Sequence, residues 1–136
     1  MKTIRIFLLL IPCLLSQGSL LAQERGPRLR ITDGDGQATV VEGGTSSSSS
    51  SCNTSDFPVY VGENRVDMDF KELTEVVVHP QRPTRNNQVY ISVEIFTLDG
   101  RSDMVEMVRQ IRIGGRTGDG TFGLKVEDIQ RVEVLR

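Results

Sequence analysis

The chain has 136 residues, formal net charge −2, 38% hydrophobic and 25% charged residues, and two cysteines. That length predicts one domain. Its Lys and Arg residues are scattered without a basic stripe, which disfavours duplex nucleic acid and anionic membrane surfaces, since both are held chiefly by clustered cations.

The first 22 residues read as a secretory signal peptide. Lys2 and Arg5 form a positive start, FLLLIPCLL an apolar stretch, and Ala22 a cleavage position. The apolar stretch is shorter than the roughly 20 residues that span a bilayer. Lipidation at Cys13 is disfavoured because Pro12, not a small residue, precedes it and the cysteine lies inside the apolar run. Removal of Lys2 and Arg5 takes the formal charge from −2 to −4. The expected location is therefore exported, periplasmic or extracellular. After cleavage Cys52 is the sole cysteine, so an internal disulfide framework is excluded.

Residues 23–56 are rich in turn formers and contain six consecutive serines, Ser46 to Ser51. Such a tract buries too little surface to offset its ordering entropy, and the stretch is expected to be a disordered Ser/Gly-rich linker. A short strand over Ala38–Val41 is compatible with the pattern. Asp33, Asp35, Gly36 and Glu42 fall on positions of a calcium-loop template, but Ile31 occupies its first position and offers no side-chain oxygen. Asn53-Thr54-Ser55 matches an N-glycosylation acceptor.

The folded unit is expected over 57–136. Val66–Val78, VDMDFKELTEVVV, superposes without a gap on Phe122–Val134, FGLKVEDIQRVEV, and the apolar positions coincide. In each copy, period-two alternation gives way to two steps of three and then resumes, which predicts a strand, one tight 3₁₀ turn and a second strand. Lys71, Glu72, Glu127, Asp128, Gln130 and Arg131 should face water. His79 stands at the end of the first copy, beside Pro80, and reads as a strand-end residue; one His and one mature Cys cannot form a zinc pattern.

Between the copies, Val89–Leu98 is β by alternation and residue type, with Val89, Ile91, Val93 and Ile95 on one face. Asp99-Gly100 is a turn signal. Residues 104–113 fit both a helix and a strand; the turn before them and IRIGG after them favour the strand.

Gly118, Gly120 and Gly123 spell the G-x-G-x-x-G of nucleotide-binding loops. A dinucleotide site needs a following helix whose amides meet the phosphates, and a kinase loop has its valine one residue earlier than Val126. The stretch therefore reads as a hairpin loop. Asp99, Asp103, Asp119 and Asp128 are too dispersed for spacing to define a site.

The expected fold is all-β, a small antiparallel barrel or sandwich of five to six strands. Its strand, short turn and last strand resemble the close of SH3-like small barrels, and that resemblance implies geometry but no function. No catalytic, cofactor or metal residue is assigned. The expected function is a non-enzymatic module on a flexible tether, binding a protein, a glycan or its own kind by surface recognition, with strand addition at an exposed sheet edge as one mode. Tyr60, Tyr90, Phe57 and Phe96 are the aromatic candidates for a recognition patch. The alternatives are a structural envelope subunit, or a small hydrolase or calcium-dependent protein.

Overall fold

A computed structural model describes residues 26–47 and 56–136. The signal peptide, most of the serine tract, Cys52 and the Asn53 acceptor lie outside the described residues. The fold is all-β: β1 (Arg28–Asp33), β2 (Ala38–Ser47), β3 (Asp56–Val61), β4 (Asn64–Asp69), β5 (Leu73–Val78), β6 (Thr84–Arg85), β7 (Gln88–Thr97), β8 (Ser102–Val108), β9 (Arg112–Thr117), β10 (Gly120–Lys125) and β11 (Ile129–Leu135). Single 3₁₀ turns, Phe70–Glu72 and Val126–Asp128, link β4 to β5 and β10 to β11. Among the described residues no helix is long and apolar enough to cross a membrane.

The strand count corrects the expected five to six. Part of the difference arises in the stretch read as a linker, where β1 and β2 take their places within the sheet. Only three apolar side chains, Leu29, Ile31 and Val41, anchor them in the core, and all are fully buried. So sparse an apolar pattern among glycines, acids and serines does not announce a strand pair; the burial comes from partners far along the chain. The ordered sheet therefore starts well before Phe57.

The repeated pattern appears as drawn. Both copies form strand, 3₁₀ turn and strand, and Phe70 and Val126, Leu73 and Ile129, Val76 and Val132 are buried at equivalent places. Val66, at the start of the first copy, is 43% exposed, because it lies on an edge strand. Residues 102–108 are strand, and the chain turns before β9.

The curled antiparallel sheet runs β10-β9-β2-β1-β11-β5-β7-β8-β3-β4, with β6 paired on β7. Exchanging β1–β5 with β7–β11 in chain order reproduces this arrangement in reverse. The registers obey the same exchange. Leu29 faces Val41 and Val134, while Val93 faces Val105 and Val78. Glu42 pairs with Arg116 across one junction, which carries a register shift, and Glu106 with Tyr60 across the other. At the centre Val132 opposes Val76, flanked by Arg131 with Val77 and Glu133 with Glu75.

The chain is thus two five-stranded repeats related by a pseudo-twofold axis through the Val76–Val132 pair. Each repeat contributes its first two strands to one half of the sheet and its last three to the other. The turns after β1 and β7 match as well. Gly34 N–H donates to Asp128 O at 3.0 Å and Leu98 N–H to Glu72 O at 3.0 Å. Gly36 and Gly100 both hold positive φ, 87° and 88°, a conformation glycine adopts at no steric cost.

Candidate functional site

The second half of the sheet carries a cluster on the face away from the core. Along β3 the side chains alternate, Phe57 and Val59 buried, Tyr60 half-buried and turned outward. Along β7, Ile91, Val93 and Ile95 point inward, which puts Tyr90 outside. The two tyrosine rings meet edge to face with centroids 5.4 Å apart, a geometry in which the positive ring edge meets a negative face.

β6 brings Arg85 onto this pair. Asn86 and Asn87 take left-handed backbone, φ 52° and 63°, and close the tight β6–β7 turn; asparagine tolerates that region better than most side chains. The Arg85 guanidinium lies 4.3 Å from the Tyr90 ring centre and donates to Gly62 O at 3.1 Å. It also pairs with Glu106 of β8. Glu106 Oε1 is shut off from solvent and makes no hydrogen bond of good geometry, so this guanidinium is its counter-charge. The same carboxylate, ahead of all other causes, raises the Arg85 pKa above its ordinary value, so Arg85 remains cationic.

Of the aromatic candidates, the structure unites Tyr60 and Tyr90 and separates the other two. Phe57 is fully buried and packs on Phe70 with centroids 4.7 Å apart; Phe96 is half-buried on β7. Arg85 and Glu106 escape sequence reasoning because neither lies in a motif. The available signal is the Asn86-Asn87 turn, which folds Arg85 back over its own neighbour Tyr90.

The glycine motif forms the β9–β10 hairpin, with Gly118 and Asp119 at its turn and Gly120 and Gly123 inside β10. A strand and a single 3₁₀ turn follow it, not an α-helix. Asp33 and Asp35 do not form a calcium loop with Glu42. Asp33 Oδ1 accepts the backbone N–H groups of Asp35 and Gln37, each at 2.9 Å, and Glu42 pairs with Arg28 Nε at 2.9 Å. A shallow acidic depression of about 360 Å³ is lined by Asp33, Asp35, Glu127 and Asp128 with Gly34 and Leu124. Among the described residues no group of three or more His, Cys, Asp or Glu side chains has metal-holding geometry. His79 stands just after β5, its N–H donating to Ser92 O at 2.8 Å and its Nε2 lying 3.3 Å from Glu94 Oε1.

Comparison with protein-family models, with curated proteins and with solved structures finds no match.

Proposed function

We propose that the chain is an exported, non-enzymatic β module that recognises a partner, a protein or a glycan, through the Tyr60–Tyr90–Arg85 patch. Export rests on the Met1–Ala22 pattern. Each half of the sheet resembles an SH3-like small barrel. Five strands with one 3₁₀ turn between edge strand and last strand support that reading, both repeats supplying strands to each half.

The observation that carries the functional reading is the packed Tyr–Tyr–Arg group on an outward face, two rings edge to face and a guanidinium over one of them. Tyrosine offers large contact area with few rotors to freeze, and tyrosine and arginine are enriched among the residues that dominate the energetics of recognition surfaces. The carboxylate of the cluster, Glu106, is committed to Arg85. The patch therefore offers a shaped aromatic contact surface in which the Arg85 charge is balanced by Glu106. A second reading, a structural subunit of an envelope assembly, is favoured by the exposed apolar side chains of Val61 and Val66 on the β3–β4 hairpin.

The test is a pull-down from the envelope of the exporting cell with the whole mature chain as bait, beside a Tyr60→Ala/Tyr90→Ala variant whose β-fold is verified by circular dichroism. A specific partner should be retained by the parent and weakened at least about tenfold by the variant, as loss of hot-spot residues implies. Equal retention by both baits, or recovery of nothing specific, would overturn the reading.

A further inference from the structure

We infer that a second copy of this chain adds to the sheet at β4, antiparallel about Val66, giving a twofold dimer with a continuous sheet.

Among the described residues, the main path of the sheet has β4 and β10 as its two edges, while the two-residue β6 lies off that path on β7. An edge presents unpaired backbone groups to any strand that can match it. The β3–β4 hairpin turns at Gly62-Glu63, with Gly62 at φ 66° in the first central position, as a type II′ turn demands. Val61 and Asn64 then close the turn as a hydrogen-bonded pair, and the alternation of the ladder gives Asn64, Val66 and Met68 to β3. Arg65 and Asp67 consequently direct their N–H and C=O groups to the open side.

The equivalent place on β10 is different. There the Gly123 carbonyl, matching that of Asp67, already accepts from Arg112 Nη2 at 3.1 Å, and this guanidinium blocks an incoming strand. Of the two edges, β4 is therefore the one open to addition.

The side chains of β4 identify the occupant. Arg65, Val66 and Asp67 are complementary to their own reverse. Antiparallel pairing centred on Val66 sets Arg65 of one copy opposite Asp67 of the other, twice, and Val66 against Val66. The register also satisfies the backbone, since the outward-directed Arg65 and Asp67 become the hydrogen-bonded pairs. Charges on an edge ordinarily repel addition; here the two Arg65–Asp67 pairs attract at the centre and oppose the repulsion between Glu63 and Asp69, which the same register sets opposite one another at its ends.

Within one copy Arg65 Nε lies 3.2 Å from Asp67 Oδ1, with both side chains about 60% exposed. Such an exposed pair contributes little, and exchanging it for two cross-strand pairs costs correspondingly little. The apolar surface is accounted for as well: Val66, 43% exposed, gains a partner, and Val61, 53% exposed, lies one strand behind it on the same face. The hairpin is held ready by Arg85, which binds Gly62 O at its tip.

The experiment is sedimentation equilibrium of the whole mature chain over a wide concentration range, with Arg65→Asp and Asp67→Arg made singly and together. The parent should be dimeric. Each single change sets like charges opposite one another twice and should raise the dissociation constant at least about tenfold. Mixing the two single variants should restore a dimer containing one of each, because an edge acidic at both positions then faces an edge basic at both. The double exchange Arg65→Asp/Asp67→Arg should restore the homodimer. Both residues are exposed, so folding is preserved, and circular dichroism verifies it. A parent that stays monomeric, a dimer indifferent to these changes, or single variants that dissociate without rescue on mixing would overturn the proposal. Growth into open filaments would also overturn it, since that signals β4 meeting β10 head to tail.

Discussion

Gly114 and Gly118 stand four residues apart in the chain and respond oppositely to the same added methyl group. A Cβ on Gly114 would lie 1.9 Å from Phe122 O and 2.7 Å from Gly123 Cα, against backbone that cannot yield. At Gly118 the same atom meets nothing within 4 Å, and the backbone there lies outside the left-handed region. Gly114→Ala should therefore cost about 3 kcal/mol, the scale of overpacking in a rigid interior. Gly118→Ala should stay within about 0.5 kcal/mol of the parent, as surface changes do. Urea unfolding of the two variants checks both values; equal midpoints would refute the packing argument. The glycine motif is thus split by physical role. Its first member serves an open turn, and glycines that the packing demands, Gly114 and Gly115 among them, lie outside it.

Among the elements, the β7–β8 turn shows how charge supports the sheet. Thr97 Oγ1 donates to Asp99 Oδ1, and Arg101 Nε donates to Asp99 Oδ2 at 3.0 Å. The Thr97 hydroxyl first, and then the Arg101 charge, hold the Asp99 carboxyl below its ordinary pKa of 3.8. A carboxyl depressed on folding favours the folded turn above its unfolded pKa, and that contribution disappears as pH falls through the folded value. NMR titration of the Asp99 side-chain carbon should give a midpoint below 3.8, and Thr97→Val should move it upward. A midpoint at or above the ordinary value in the parent would count against the hydrogen bond. The equivalent turn after β1 uses another device for the same geometry, with Asp33 Oδ1 accepting two backbone amides. Both turns keep an Asp-Gly pair, Asp35-Gly36 and Asp99-Gly100. That shared pair was the readable sign that β1–β2 repeats β7–β8, alongside Leu29 and Val93, Ile31 and Ile95, Val41 and Val105.

For the whole molecule, strand exchange decides how stability is shared. The half containing β10, β9, β2, β1 and β11 draws on both repeats, as does its counterpart, and the halves meet through the Val76–Val132 pair. Neither half can lose its strands without unpicking the other repeat. Unfolding should accordingly be a single cooperative transition with matching calorimetric and van't Hoff enthalpies. Leu29→Ala in one half and Val93→Ala in the other, both residues fully buried, should each lower that one transition; Leu29→Ala should cost about 2–5 kcal/mol. Two separable transitions, one sensitive to each substitution, would show that the halves are independent domains.

What the sequence by itself determined is local. Alternation marked β7, the six matched apolar positions marked the two strand–turn–strand units, and Asp99-Gly100 marked a turn, because each depends on neighbours within a few residues. Tertiary structure alone decided the rest. Leu29, Ile31 and Val41 become core only because β1 meets β11 and β2 meets β9, across most of the chain's length. Tyr60, Arg85, Tyr90 and Glu106 form one cluster only because four separate strands lie side by side there. Long-range pairing of this kind leaves no periodicity in either partner alone, since the energy that selects it resides in the buried contact between them.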